Sequence, residues 1–226
     1  VLSFSTSLLC YLILAKTPKK VVVQSPPLLL SFISVFVLWV KRKKIILNVS
    51  DLWPLAAIEL KALKKESFSH KVSLFMELFI YKKATLILGQ SNEILTHINT
   101  LVPNKKRYLY QNFPDHKHEI ETIFDSTENR PIRIFYAGLL GVAQGVMELC
   151  QKINLNNLNI ELHIFGDGPE KKQIENIIQH PENNKIFFYG MLNRSELHHY
   201  LSKMDIAFVP LKTRIYGSVP SKIFEF

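Results

Sequence analysis

The stretch IRIFYAGLLGVAQGVMELCQKI, residues 132–153, contains the unit from which the fold of this chain is built. Its first six residues form a β-branched and aromatic run, which is typical of a buried strand. Residues 138–141 form a tight glycine turn, and the apolar spacing of residues 142–153 predicts a helix. A strand, a turn and a helix in this order predict a βαβ unit with parallel strands.

The same unit recurs on both sides of this stretch. Strands are predicted downstream at residues 159–165, 185–189 and 205–210, with Ser195 as the N-cap of the helix before the last of them. A further helix is predicted to open at Pro220 and Ser221. Upstream, we predict strands at 20–24, 45–49 and 84–88, a short strand or extended piece at 108–113, and helices at 28–40 and 68–83.

Residues 114–131 are polar and charged, which marks a linker between two domains. We therefore predict an α/β fold with two Rossmann-like lobes, an N-terminal one at 1–113 and a C-terminal one at 132–226. The chain begins with Val1 and ends in an apolar helical pattern, so we expect both lobes to be incomplete at the chain ends.

The composition narrows the possible partners. The chain has 226 residues, a formal net charge of +9 and a pI near 9.4, which suits an acidic partner. Cys10 and Cys150 lie far apart, so a reducing compartment is expected. His116 and His118 alternate in the linker and are expected to be solvated, so no metal is predicted.

Two apolar segments raise the question of a membrane. Residues 28–40 are shorter than the ~20 residues of a spanning helix, so a buried or interface-lying helix is expected. In residues 68–83, Val72, Phe75, Met76, Phe79 and Ile80 recur at helical spacing. This stripe either faces the core or, with its flanking lysines, lies on a membrane surface.

Glycines follow the predicted strands of the second lobe. Ligands of open α/β sheets bind beyond the carboxyl ends of the strands, and glycine lets the backbone approach a ligand closely. The glycines at these strand ends are Gly138, Gly141, Gly166, Gly168 and Gly190. Their spacing matches neither a dinucleotide fingerprint nor a P-loop.

Here the sequence resembles the donor-binding lobe of GT-B glycosyltransferases of family 4. The stretches that carry the resemblance are FYAGLLGVAQGV (135–146), HIFGDGPEKKQI (163–174), IFFYGMLNRSELHHYLSKMDIAFVPL (186–211) and VPSKIFEF (219–226). VVVQSPP (21–27) and ILNVSDLWP (46–54) resemble the subgroup that builds bacterial surface polysaccharides, including fucosamine-type transferases. LYQNFPD (109–115) resembles the link between the lobes.

The resemblance implies roles for particular residues. Glu225 matches the glutamate that binds the nucleotide ribose, and Ser221 with its neighbouring amides matches the diphosphate contact. Lys222 either adds a cation there or is a solvated helix lysine. Gly138 and Gly141 match the turn that admits the diphosphate, and Gly190 matches the loop beside the base. Gly166 and Gly168 match the Gly-Asp-Gly-Pro element and are further candidates for donor binding.

Asp51 follows the second strand of the first lobe and has two interpretations. The resemblance places it on the acceptor side, as a polar group or base. The alternative is an N-cap with Pro54 in the first turn of the next helix.

Three positions depart from the family pattern. Many members carry a basic pair at the glycine turn, where this chain has Leu139 and Gln144, and a second glutamate where this chain has Gly217. Other cations could replace the pair, and Lys212, Arg214 and Lys222 are the candidates. Alternatively, donor binding is weakened.

These features predict a retaining glycosyltransferase of cell-surface polysaccharide biosynthesis, such as that of lipopolysaccharide or capsule. Its donor is expected to be a nucleoside-diphosphate sugar, UDP-linked, without a further cofactor, and its acceptor a lipid-linked molecule or a glycan. We expect a cytoplasmic protein in peripheral contact with an anionic membrane. The alternative is a non-catalytic remnant that binds nucleotides or polyanions. Nucleic acid is not an expected partner, since no aromatic-stacking pattern accompanies the basic residues.

Overall fold

The computed structural model describes residues 2–111, 130–212 and 215–224. Contacts divide the chain into two compact units, one of residues 1–113 with 213–221 and one of residues 114–212 with 222–226. Most of the predicted linker lies outside the described residues, so the domain boundaries stay a prediction.

The first unit is a parallel α/β sheet with strand order β1-β2-β3-β4. Its elements are α1 (Leu2–Leu14), β1 (Lys20–Ser25), α2 (Leu28–Val40), β2 (Lys44–Val49), α3 (Leu55–Glu59), α4 (Phe68–Lys83), β3 (Leu86–Gly89), α5 (Asn92–Leu101) and β4 (Arg107–Leu109).

The core of this unit follows the alternation of the strands. Val23, Ile45, Leu47, Val49 and Ile87 are buried at alternate strand positions. Apolar residues of α2, α4 and α5 pack in the same core. The helix predicted at 28–40 is confirmed with the same bounds and contributes the buried Val35 and Leu38 to that core. Across the described ranges, no helix combines the length and apolar character required to span a bilayer.

Helix α4 has the predicted bounds, but its apolar stripe is divided between the core and the surface. Ile80 is buried, Phe79 is half-buried, and Phe75 is 61% exposed. The buried face also holds Glu77 and Tyr81, whose hydroxyl donates to the Glu77 carboxylate at 3.2 Å. The stripe as a whole is therefore not a core face.

The second unit is another parallel sheet, with strand order β7-β6-β5-β8. Its helices and strands are β5 (Ile132–Ala137), α6 (Val146–Lys152), β6 (Ile160–Phe165), α7 (Lys171–Ile178), β7 (Ile186–Gly190), α8 (Arg194–Leu201) and β8 (Ile206–Ala207), with 3₁₀ turns at Pro181–Asn183 and Ser221–Phe224. Two parallel α/β sheets are the predicted fold class.

Local signals misplaced several boundaries in this unit. Helix α6 begins at Val146, four residues later than predicted, because Gly145 at its N-cap adopts a left-handed conformation with φ of 69°. Helix α8 is capped by Asn193, not Ser195, since Asn193 and Glu196 form a reciprocal capping box. Strand β8 has two residues, and the turn at Ser221 is a 3₁₀ helix.

An ion pair at the start of β8 holds this short strand against β5. The Arg130 guanidinium donates two hydrogen bonds of 2.7 Å to the two carboxylate oxygens of Asp205. The backbone N–H of Arg133 donates a third, also of 2.7 Å. The Arg130 hydrogen bonds lower the pKa of Asp205 from its ordinary value of 3.8. The folded state therefore favours the ionised carboxylate.

We predict that Asp205→Asn lowers the free energy of unfolding of the second unit by about 1.5–3 kcal/mol near neutral pH. This is the range for hydrogen bonds to a charged group. The folded pKa is below the ordinary one, so the stabilisation is complete above about pH 4 and is lost as pH falls through the folded pKa. Thermal unfolding of both proteins from pH 3 to pH 7 measures this difference.

Glu182→Gln is the control, because Glu182 is exposed on the 3₁₀ turn. We expect it to unfold like the unchanged protein across this range. A difference for Asp205→Asn that stays constant down to pH 3 would contradict the role of the ionised carboxylate.

Candidate active site

The glycine loops of the second unit are connected to one another at the carboxyl edge of its sheet. The Gly138 N–H donates to the Phe165 carbonyl at 2.9 Å, and the Gly166 N–H donates to the Gly190 carbonyl at 2.8 Å. The Leu140 N–H also donates to the Asp167 carbonyl at 2.9 Å. The strand ends of β5, β6 and β7 therefore form one continuous backbone surface.

The close approach of these backbones explains the glycines at two positions. A Cβ atom on Gly166 would lie 1.8 Å from the Gly138 carbonyl oxygen, and one on Gly168 would lie 2.3 Å from the Leu140 carbonyl oxygen. Both glycines also have φ values in the region that other residues rarely adopt. Gly141 and Gly190 lie on the same edge, with space around Gly190.

Lys222 reaches this edge from the 3₁₀ turn near the end of the chain. Its amino group donates to the Tyr136 hydroxyl at 3.0 Å and lies 4.2 Å from the centre of the Tyr136 ring. A Cβ atom on Gly138 would be only 1.8 Å from the Lys222 Nζ atom. The structure therefore places one predicted cation directly on the predicted glycine turn.

Tyr136 is a residue that the sequence reasoning missed. It is buried in β5, and burial raises the pKa of its hydroxyl to about 12. That hydroxyl donates to the Leu139 carbonyl at 2.5 Å. A tyrosine within an apolar strand reads as a core residue, so nothing in the local sequence indicates that it also supports Lys222.

Lys212 has a different environment. Its amino group lies 2.7 Å from a carboxylate oxygen of Glu148, whose other oxygen lies 2.7 Å from Lys152. The hydrogen bonds from Lys152 and Lys212 lower the pKa of Glu148 to about 2. Glu148 therefore forms ion pairs with Lys212 and Lys152 together. Arg214 lies outside the described residues.

Asp51 belongs to the first unit and is not a helix cap. Helix α3 begins at Leu55 with Pro54 at its N-cap. The Asp51 carboxylate instead accepts a hydrogen bond from the Ser218 side chain. Burial of the carboxyl raises the pKa of Asp51, with the Ser218 hydrogen bond acting in the opposite direction.

Gly217 packs in the same unit, which explains why no glutamate stands there. Its φ is 81°, and an added Cβ atom would lie 2.9 Å from a side-chain carbon of Ile94. Its carbonyl accepts a hydrogen bond of 2.8 Å from the Ser91 hydroxyl, and the neighbouring Tyr216 N–H donates to Glu59 at 2.9 Å. A larger residue at position 217 would require the loop to move.

The remaining predicted residues lie at or beyond the limits of the described ranges. The backbone of Ser221 opens the 3₁₀ turn, but Glu225 lies outside the described residues. The linker histidines His116 and His118 also lie outside them. Within the described ranges, no three His, Cys, Asp or Glu side chains gather in a way that could hold a metal ion.

A protein-family model matches most of the second unit. Residues 119–225 match the family model described as "Glycosyl transferases group 1". No curated protein sequence is significantly similar to this chain.

Solved glycosyltransferase structures share the fold. A lipopolysaccharide outer core galactosyltransferase, WaaB, matches 99% of this chain over 56% of its own length, with a TM-score of 0.62 and 14% identity. TarM of S. aureus, in complex with fondaparinux, α-GlcNAc-glycerol and UDP, matches 96% over 42%, with the same TM-score and identity.

Anabaena HepE in complex with UDP matches 82% of this chain over 52% of its own, with a TM-score of 0.57 and 13% identity. The chain thus spans about half the length of these structures. At such identities the likeness establishes the fold alone, and the GT-B fold class is confirmed.

We predict that Gly166→Ala disrupts the carboxyl edge of the second sheet far more than Gly190→Ala does. The added methyl group at 166 meets the backbone of Gly138, whereas at 190 nothing lies within 4 Å. Gly190→Ala should cost about 1–2 kcal/mol for its left-handed backbone alone. Hydrogen exchange of the β5 and β6 amides measures the difference, and equal exchange in the two variants would refute this packing.

Proposed function

We propose that this chain is part of a GT-B glycosyltransferase that transfers a sugar from a nucleoside-diphosphate sugar to a lipid-linked or glycan acceptor. The observation that carries the proposal is the cationic Lys222 on the glycine turn of β5, at an edge where three strand ends expose backbone. The match of residues 119–225 to group 1 glycosyltransferases supports it.

Lys222 and the glycine turn provide what a diphosphate leaving group needs. Negative charge develops on the diphosphate as the sugar departs, and preorganised cations and N–H donors stabilise that charge. Leu139 and Gln144 are neutral, and Lys212 is held by Glu148. Among the described residues of this edge, Lys222 is therefore our candidate for the role that a basic pair performs in many family members.

The donor class and the pathway are supported by the similar structures. HepE and TarM are described in complex with UDP, and TarM also with α-GlcNAc-glycerol. WaaB is named as a lipopolysaccharide galactosyltransferase. We infer a UDP-linked donor, retention of anomeric configuration and a role in surface polysaccharide synthesis, at the cytoplasmic face of a membrane.

The first unit contributes the acceptor side in this proposal, with Asp51 as its polar group. The raised pKa of Asp51 suits a carboxyl that exchanges a proton with an acceptor hydroxyl. In the second unit, Ser221 and its amides would contact the diphosphate, Gly190 would lie beside the base, and Glu225 would bind the ribose.

A second candidate function is nucleotide binding without catalysis. It is favoured by the neutral residues Leu139 and Gln144 and by Gly217, where a carboxylate does not fit. Incubating the chain with radiolabelled UDP-sugars separates the two functions. Release or transfer of the sugar supports the enzyme, whereas UDP binding without turnover supports the binding module.

We predict that Lys222→Met weakens UDP binding about tenfold, which corresponds to about 1.4 kcal/mol. The methionine preserves most of the side-chain volume and removes the positive charge. Isothermal titration calorimetry with UDP provides the dissociation constants.

The matched control is Lys203→Met, which removes the same charge from the amino end of β8, at the opposite edge of the sheet. We expect unchanged UDP affinity for it. Equal losses in both variants would mean that only the net charge matters, and no loss in Lys222→Met would remove Lys222 from the site.

We predict that Glu225→Ala weakens binding of UDP at least tenfold but leaves binding of inorganic diphosphate unchanged, because a carboxylate bridging the two ribose hydroxyls contributes only when ribose is present. Competition between diphosphate and UDP measures both affinities. Unchanged UDP affinity in this variant would exclude the ribose role.

A further inference from the structure

The positive charge of the chain is concentrated in its first half. Residues 1–113 contain 16 Lys and Arg against 5 Asp and Glu, whereas residues 114–226 contain 12 against 14. The donor-binding features of the second unit therefore do not account for the net charge of +9.

Within the first unit, the basic residues precede the strands. The segments 15–20, 41–44, 82–85 and 103–107 lead into β1, β2, β3 and β4 and contain twelve Lys and Arg but no Asp or Glu. Parallel strands start at one edge of a sheet, so these segments meet there. We name this surface the basic edge. It lies opposite the carboxyl edge that holds Asp51.

Hydrogen bonds show that the segments of the basic edge are contiguous. The Lys43 amino group donates to the Thr17 carbonyl at 2.8 Å, and the Lys44 N–H donates to the Lys19 carbonyl at 2.9 Å. The Lys105 amino group donates to the Lys82 carbonyl at 2.8 Å. Seven further basic side chains of the basic edge are exposed: Lys16, Lys19, Lys20, Arg42, Lys44, Lys82 and Lys106.

Aromatic side chains of α2 and α4 adjoin the basic edge. Phe32, Phe36 and Trp39 of α2 pack against Phe75 and Phe79 of α4 with ring centroids 5.1–6.2 Å apart. We call these five residues the aromatic strip. Phe36 and Trp39 are 44% and 43% exposed, so the strip is open to solvent.

The strip joins the basic edge at its Trp39 end. The Lys83 amino group lies 3.8 Å from the Trp39 ring centre. The neighbouring Val40 and the end of α1 add apolar surface at the same edge, since Val40 is 61% and Leu14 is 85% exposed. Basic and apolar side chains are thus mixed on one continuous surface.

We propose that the basic edge and the aromatic strip dock the first unit onto an anionic phospholipid bilayer. Each basic residue near such a surface contributes about 1 kcal/mol, and tryptophan is enriched where a protein meets the lipid headgroups. Nucleic acid would match the charge, but the exposed aliphatic Val40 and Leu14 beside the strip suit lipid acyl chains better than bases, which stack on aromatic rings. This inference rests on the membrane location proposed above and adds the surface that makes the contact. Because its test needs no donor, it can fail without excluding sugar transfer.

The test is co-sedimentation of the chain with vesicles. Vesicles of phosphatidylcholine with 30% phosphatidylglycerol should bind the protein, pure phosphatidylcholine should not, and 0.5 M salt should weaken binding. Lys44→Glu with Lys106→Glu reverses two charges of the basic edge and should weaken binding at least tenfold. Lys64→Glu with Lys65→Glu makes the same charge change between α3 and α4 and should alter binding less than twofold. Circular dichroism verifies folding.

Tryptophan fluorescence tests the aromatic strip directly. The chain has two tryptophans, so Trp53→Phe leaves Trp39 as the single reporter. Brominated lipids in the anionic vesicles should quench Trp39 fluorescence. Vesicle binding without quenching, or equal losses in the two charge-reversed pairs, would overturn the proposal. So would heparin binding as tight as vesicle binding, which would indicate a general polyanion surface.

Discussion

The carboxyl edge of the second sheet depends on the contact between the Gly166 and Gly138 backbones. The Gly138 carbonyl oxygen occupies the space that a side chain at 166 would need, and Leu140 does the same at 168. These glycines are therefore required by packing, whether or not a ligand binds. A glycine pattern of this kind is consequently weak evidence for a phosphate site by itself. What strengthens it is the charged Lys222 held on the same turn by Tyr136.

The segment 215–222 takes part in both units within a few residues. Residues 215–218 pack in the first unit, through Gly217 against Ile94 and through Ser218 to Asp51. Lys222 then belongs to the second unit. The packing in the first unit explains why position 217 is a glycine and not the glutamate of many family members. Its left-handed backbone and its close contact with Ile94 exclude a glutamate. The charged group that this segment brings to the glycine turn is therefore Lys222.

Periodicity and turn residues predicted the strands and the parallel sheets, because buried parallel strands leave a strong apolar signal in the sequence. Boundaries were less accurate where neighbouring polar residues compete for one role: Asn193 caps α8, although Ser195 is an equally good capping residue. The contact between Lys222 and Tyr136 spans 86 positions and arises from the path of the chain. No local pattern could have indicated it, nor the pairing of Lys212 with Glu148.

The position of the positive charge also follows from the path of the chain through the sheet. The sequence shows that the positive charge is concentrated in the first half, in separate short groups, but not where those groups meet. In a parallel sheet, however, every segment that precedes a strand arrives at the same edge, so separate pairs and triplets of lysine combine into one surface. Ligands of such sheets bind at the opposite edge. A basic amino edge is therefore free to serve a different partner, and its position beside exposed Trp39 and Phe36 favours a lipid surface over a soluble anion.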